Sequence, residues 1–260
     1  MRAAITKTEI ESAIASRFGD AFRLHEKRPA EVLSSGVTEI DSFIGGLPRG
    51  AITEIYGPAS SGRTSLMLAT MAHATGNEEV CALIDTSNVF DPHSAAEAGM
   101  TFDRLLWVRC ANNLEHAFKA TDMILQAGGF GLVILDLGDV PAKSAKRIIS
   151  SWWYRFRRTL ESTPTALVVI VEDSAVKSCA VLALELKAEN SLWIDDSSNE
   201  PGRVASISGT PVRYIPQRAN YLPYPHANLL TGLSYQVDCR RPLHLIRSTK
   251  PHEGTLKSFM

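Results

Sequence analysis

The chain lacks a strong charge of one sign: 27 Lys and Arg nearly balance 28 Asp and Glu, leaving a formal net charge of −1. That balance gives no whole-chain signal for nucleic acid or for an acidic partner. Cysteine is scarce. Cys81, Cys110, Cys179 and Cys239 stand far apart with no C-x-x-C pair, which excludes a disulfide framework or a zinc ribbon and suits free thiols in a reducing compartment. The 7 histidines also lack ligand spacing, and no metal site is expected. No apolar run approaches the length that spans a bilayer, and no leader-like segment opens the sequence, so a cytoplasmic location without a membrane partner is expected. No internal repeat is visible. The remaining composition, 45% hydrophobic and 21% charged over 260 residues, suits one large α/β domain or two small ones.

One stretch carries chemistry. Gly57-Pro58-Ala59-Ser60-Ser61-Gly62-Arg63-Thr64 fits the phosphate-loop pattern G-x-x-x-x-G-K-[ST] at both glycines and at the hydroxyl, but has arginine in place of lysine. In that pattern backbone N–H groups surround the phosphates, the lysine reaches the outer oxygens, and the hydroxyl holds Mg²⁺. A planar, forked guanidinium is not a like-for-like replacement for a compact ammonium. Ala51–Tyr56 reads as the strand entering the loop, and residues 64–74 read as the helix leaving it. The nucleotide-binding set of this degenerate site is therefore Gly57, Ser60, Ser61, Gly62, Arg63 and Thr64. Arg63 has two readings: it holds a phosphate, or it pairs with an acid such as Asp136 or Asp173 and closes the site.

Residues 8–22 form an expected amphipathic helix. Thr8 and Glu11 make a capping box, and Ile10, Ile14, Phe18 and Phe22 fall mostly on one face. A polar linker follows, giving an N-terminal segment 1–35. The apolar face needs a cover, either the chain's own core or a neighbouring molecule, and the neighbour is the expectation.

A core over 36–218 contains continuous apolar runs at Val80–Asp85, Leu132–Asp136 and Ala166–Val171, as expected for central strands of a parallel sheet. Helices are expected at 64–74, 113–127 and 143–161. Ala183–Lys187, Ser191–Asp195, Arg203–Ser208 and Pro211–Ile215 alternate and suit an antiparallel extension. Residues 219–260 read as a basic tail, extended or disordered, with no core of its own. From Pro201 onward, eight Lys and Arg face only Asp238 and Glu253. That tail suits DNA, an acidic groove on a protein partner, or plain solvation.

Within 143–161, Lys143, Lys146, Arg147, Arg155, Arg157 and Arg158 interleave with Trp152, Trp153, Tyr154 and Phe156. Cations with aromatics can hold single-stranded DNA through phosphate contact and stacking. The plainer reading, which we favour, is a sheet-packing helix with its aromatics inside.

The string Glu54-Ile55-Tyr56-Gly57-Pro58-x-Ser60-Ser61-Gly62, with Gly46–Gly50 before it and Cys81–Asp85, Asp91-Pro92 and Leu132–Asp136 after it, resembles RecA-type recombinases over roughly residues 8–216. The resemblance implies a RecA-like α/β fold with a mainly parallel central sheet, an N-terminal helical arm that packs on an adjacent subunit, and antiparallel C-terminal strands. It also implies a Mg²⁺-associated carboxylate at Asp136. The glutamate that activates water in such enzymes corresponds to Ser87, so no catalytic residue is expected; Asp91 is a conceivable substitute. The adenine-stacking tyrosine corresponds to Ser94, the γ-phosphate-sensing glutamine to Asp173, and two lysines from a neighbouring subunit to Ser208 and Thr210. The segments matching the mobile DNA loops, 137–144 and 174–179, are short.

These departures make the chain resemble the ImuA group, RecA-like accessory proteins of the bacterial DNA-damage (SOS) response that accompany a Y-family polymerase-like protein in translesion synthesis. The resemblance implies contacts with RecA or with a second copy through the arm and with the polymerase through the tail; single-stranded DNA as a partner rests on the basic run and the basic tail alone. No cofactor would be required, and ATP with Mg²⁺ would bind weakly at most. Two other readings stay open: a SulA-type division inhibitor and a slow DNA-stimulated ATPase.

Overall fold

The computed structural model describes residues 31–194, 204–206, 230–241 and 252–257. Every element below lies in the unit Val32–Met260. Strand β1 (Val32–Leu33) leads into helix α1 (Thr38–Ile44), which ends at Gly45 in the left-handed conformation (φ 79). Then come β2 (Leu47–Pro48), β3 (Ala51–Tyr56), α2 (Arg63–Gly76), β4 (Cys81–Asp85), α3 (Pro92–Glu97), β5 (Leu105–Arg109), α4 (Leu114–Ala127) and β6 (Leu132–Leu137). The chain continues through α5 (Ala142–Lys146), α6 (Ser150–Leu160), β7 (Ala166–Val171), β8 (Ala180–Ile194), β9 (Val204–Ser206), β10 (Leu230–Arg241) and β11 (His252–Lys257).

The described residues contain a nine-stranded sheet in the order β11-β10-β8-β3-β7-β6-β4-β5, with β9 on β8. From β8 through β5 all neighbours run parallel, while β9, β10 and β11 pair antiparallel. The central strands are buried on both faces, which is why they read as unbroken apolar runs rather than alternations. One face is covered by α1, α2 and α3 through Ile40, Ile44, Leu66, Met71 and Ala95. The other is covered by α4 and α6 through Phe118, Leu125, Trp153, Phe156 and Leu160. Phe118 anchors that second layer, with ring centroids 5.0 Å from Trp153 and 5.7 Å from Phe156.

At the end of the sheet remote from the phosphate loop, Arg49 grips Glu79 through both guanidinium nitrogens and also donates to the carbonyls of Gly131 and Pro164 (3.1 Å). A half-buried bidentate pair that also satisfies backbone carbonyls belongs to the stronger class of hydrogen bonds. Arg49→Ala is expected to cost about 2 kcal/mol, since the Glu79 carboxylate and those carbonyls lose their donor together. Urea denaturation would read this loss.

The structure differs from the sequence-based expectation in four places. Residues 183–187 and 191–194 are one strand, β8, which runs parallel to β3 on one side and carries the expected antiparallel extension, through β9 and β10, on the other. The helix expected over 143–161 is two helices. Ile149 between them is extended (φ −65, ψ 126), as suits the β-branched pair Ile148-Ile149. Strand β5 was not anticipated: it is a sheet edge with Leu106 44% exposed, so its pattern is neither a buried run nor an alternation. The core does not end at residue 218, because β10 pairs along β8 and buries Tyr235 and Val237 completely. Three register shifts along that pairing obscure its period. Segment 211–215 lies outside the described residues, as do Ile10, Ile14, Phe18 and Phe22.

Candidate functional site

The loop predicted to bind phosphate joins the central strand β3 to α2. Gly57 donates its N–H to the Glu172 carbonyl (3.1 Å), which ties the loop to the end of β7. Ser60 (φ 61) and Gly62 (φ 93) both take left-handed backbone, and Gly62 is the N-cap of α2. No side chain caps that helix, so no side chain claims its first-turn N–H groups. Buried Ser61 carries an Oγ without a hydrogen-bond partner, while Thr64 is exposed. An uncapped helix start, a left-handed glycine and an unsatisfied buried hydroxyl fit a phosphate group. Gly57, Ser60, Ser61, Gly62 and Thr64 would hold it through backbone and hydroxyl donors.

Arg63, the residue after the Gly62 cap, has a backbone partner. It donates Nη1 to the Gly138 carbonyl (3.3 Å), and among the described residues it makes no ion pair with Asp136. It lies over the turn after β6, where Gly138 N–H donates to Asp136 Oδ1 (2.8 Å). A Cβ at Gly138 would stand 3.0 Å from that Asp136 oxygen and 3.5 Å from Arg63 Nη1, so the turn has little room to spare.

Burial of its carboxyl lifts the pKa of Asp136 from the ordinary 3.8 to about 6. The Gly138 N–H opposes the rise, Asp85 and Asp139 add to it, and Arg63 lowers it again. The folded state therefore holds this proton more tightly than the unfolded chain. Stability from Asp136 is present below pH 3.8 and is lost as pH rises through about 6. Asp136→Asn keeps the acceptor for Gly138 and is expected to flatten the melting-temperature profile between those two pH values. A profile as steep as that of the parent would refute the assignment.

Ser87, at the expected base position, follows β4 and is half-buried. The carboxylates around it are committed elsewhere. Buried Asp85 accepts from Val89 N–H (3.1 Å), Phe90 N–H (3.2 Å) and Trp107 Nε1 (3.2 Å), and so shapes the segment after β4. Asp91 caps α3, accepting from His93 N–H, Ser94 N–H and Ser94 Oγ (2.6 Å). Those bonds, the Ser94 hydroxyl first, hold its pKa below the usual carboxylate range. Asp91 is thus a helix cap and a weaker base than a free carboxylate. Ser94, in the first turn of α3, serves that cap. Asp173 is exposed on the turn after β7, whereas Ser208 and Thr210 lie outside the described residues.

Glu54 escaped the sequence reading as a site residue. It is 1% exposed, and it accepts from Ala175 N–H (2.6 Å), Val176 N–H (2.8 Å) and Ser174 Oγ (2.8 Å). One carboxylate on β3 therefore fixes the short segment 174–176 beside Asp173. The available signal was a lone acid inside the apolar strand Ala51–Tyr56.

The basic run divides. Trp153, Phe156 and Leu160 face the core, in line with the packing reading, but Tyr154, read as an inside aromatic, is exposed because it falls on the opposite side of the helix. Arg155 pairs with Asp122 of α4 and Arg157 with Glu161, while Arg147 and Arg158 are exposed. The side chain of Lys146 lies outside the described residues. None of the four cysteines forms a disulfide, and three are buried; burial raises Cys81 to about 12, which suits core thiols rather than nucleophiles. Among the described residues no group of His, Cys, Asp and Glu side chains is arranged to hold a metal ion, and no helix is long and apolar enough to cross a membrane.

Comparison with known proteins agrees with this geometry. RecA of Pseudomonas putida is 38% identical over 122 residues, covering 46% of this chain and 33% of that protein. RecA of Leifsonia xyli subsp. xyli is 33% identical over 170 residues, covering 58% and 47%. The matches thus span about a third to a half of the length of these curated relatives. A crystal structure of the RadB recombinase superposes with a TM-score of 0.56 at 16% identity, covering 85% of this chain and 94% of that one, a likeness of fold. The RecA N-terminal domain model matches residues 5–149, more than half of the chain, and the protein belongs to that family.

Proposed function

We propose that this RecA-family protein works by binding rather than by turnover: an ImuA-type accessory protein of the bacterial DNA-damage response that recruits or regulates an error-prone translesion polymerase assembly. One observation carries the reading. The phosphate loop keeps its shape, but the carboxylates near the Ser87 position are engaged in structural hydrogen bonds, Asp85 with the segment after β4 and Asp91 with the α3 cap. Phosphoryl transfer rests on positioning and charge compensation; here Arg63 bonds to a carbonyl and the surrounding acids would weaken, without abolishing, the hold on a triphosphate. Should nucleotide and Mg²⁺ bind, the loop would hold the phosphates while Thr64 and Asp136 would face the ion.

In this reading the arm, with Ile10, Ile14, Phe18 and Phe22, contacts RecA or a second copy. The C-terminal region contacts the Y-family polymerase-like protein, without Tyr235, which is buried. Single-stranded DNA is a secondary partner. A second reading, a slow DNA-stimulated ATPase, is favoured by the uncapped start of α2 and the unsatisfied Ser61 hydroxyl.

Pull-downs with purified RecA and with the polymerase proteins test the proposal. Deleting residues 1–28 is expected to abolish the RecA contact, and deleting 242–260 the polymerase contact. Contacts that survive both deletions would transfer the interface to the core.

A further inference from the structure

We propose that the outer face of α6, with the α5–α6 junction, docks a partner protein through an acidic segment bearing an apolar anchor. The inference goes beyond the function proposed above and is independent of it. Residues 140–160 contain six basic side chains and no acid, and the fold sorts them. Arg155 is held by Asp122 and lies over Trp152 (5.8 Å), and Arg157 is held by Glu161. Lys143, Arg147 and Arg158 are exposed and have no carboxylate partner among the described residues.

Exposed apolar side chains lie in the same stretch. Ile149 at the α5–α6 junction (68%) and Tyr154 on α6 (56%) are two of the most exposed large hydrophobic residues among those described. Tyr154 and Arg158 stand one turn apart, so their side chains are neighbours on the outer ridge. Aromatic residues and arginine framed by aliphatic contacts are the composition of interface centres. Unpaired cations around them select a partner of opposite charge.

Nucleic acid fits the face less well. A single strand needs successive exposed aromatic platforms along a track of cations. Here Trp153 and Phe156 are buried, Trp152 lies beneath Arg155, and two of the arginines are already paired. Ile149 offers nothing to a phosphate backbone. The chain's own ends are poor occupants, because basic residues outnumber acidic ones both in 1–30 and in 201–260.

Fluorescence anisotropy on the full chain tests the proposal. The probe is a labelled peptide of Asp and Glu carrying one Leu and one Phe, and its control has Ser in place of both. Saturable binding of the probe, weaker for the control, is expected. Arg158→Glu and Tyr154→Ala should each weaken it about tenfold or more without lowering the melting temperature, since both residues are exposed. Oligothymidylate should not displace the peptide. Absence of binding, or unchanged affinity in both variants, overturns the proposal. Displacement by oligothymidylate reassigns the face to nucleic acid, and self-association that Arg158→Glu abolishes reassigns it to a second copy; either result also overturns it. None of these outcomes touches the phosphate loop, so failure here leaves the proposed function standing.

Discussion

Gly57→Ala is expected to lower the unfolding free energy by about 3 kcal/mol or more, the upper range for overpacking a buried position. A Cβ at Gly57 would lie 2.2 Å from the carbonyl oxygen of Leu186 and 2.8 Å from Ser61 Oγ. Ser61 can rotate; the Leu186 carbonyl cannot. It belongs to β8, which is held between β3 on one side and β10 on the other. Relief would require parting the parallel β3–β8 pair at the point where the loop begins, so stability and loop geometry should fail together. Gly76→Ala is the control. Nothing lies within 4 Å of its Cβ, and it stands in the last turn of α2, so alanine there should be neutral or stabilising by about 0.4–1 kcal/mol. Chemical denaturation of both variants checks the pair. A Gly57→Ala protein as stable as the parent would mean that β8 does not press on the loop as described.

The half of the molecule that was legible in the sequence is the half governed by continuous burial. Strands β3, β4, β6 and β7 sit between two layers of helices, so their runs carry few polar interruptions, the hydrogen-bonded Glu54 among them. The cap of α4 by Asn113 and the loop glycines are local chemistry, readable from a few neighbouring residues. What escaped depends on partners distant in sequence. Strand β10 shows no period of its own because bulges shift its register on β8, and only the apolar face opposite makes Tyr235 a core residue. Arg63 bonds to Gly138, 75 positions along the chain, and nothing local in either residue announces that contact. The spacing puts Trp153 and Phe156 inside, as found, but the exposed Tyr154 departs from the reading of aromatics inside. The sorting of Arg155 and Arg157 into ion pairs needed Asp122 and Glu161 in place.

ATP turnover by the purified protein, with single-stranded DNA and Mg²⁺ present, is expected to run about 10²–10⁴-fold below that of a RecA measured alongside, the factor associated with losing a general base. The expectation rests on four side chains. Ser87 cannot take a proton at neutral pH. Asp85 spends both oxygens on two backbone N–H groups and the Trp107 indole, and Asp91 is a helix cap whose proton affinity is lowered. Asp136, raised to about 6, has the proton affinity a base needs, but it is committed to Gly138 N–H and occupies the position suited to Mg²⁺. Phosphate binding should persist despite the low turnover, because the loop and the start of α2 are built from backbone that Ser87 does not influence. Binding of a triphosphate analogue and release of phosphate therefore need separate measurement. Binding without release supports the accessory role. Release at a RecA-like rate that disappears in Asp136→Asn would identify that carboxylate as the base and return the protein to the enzymes.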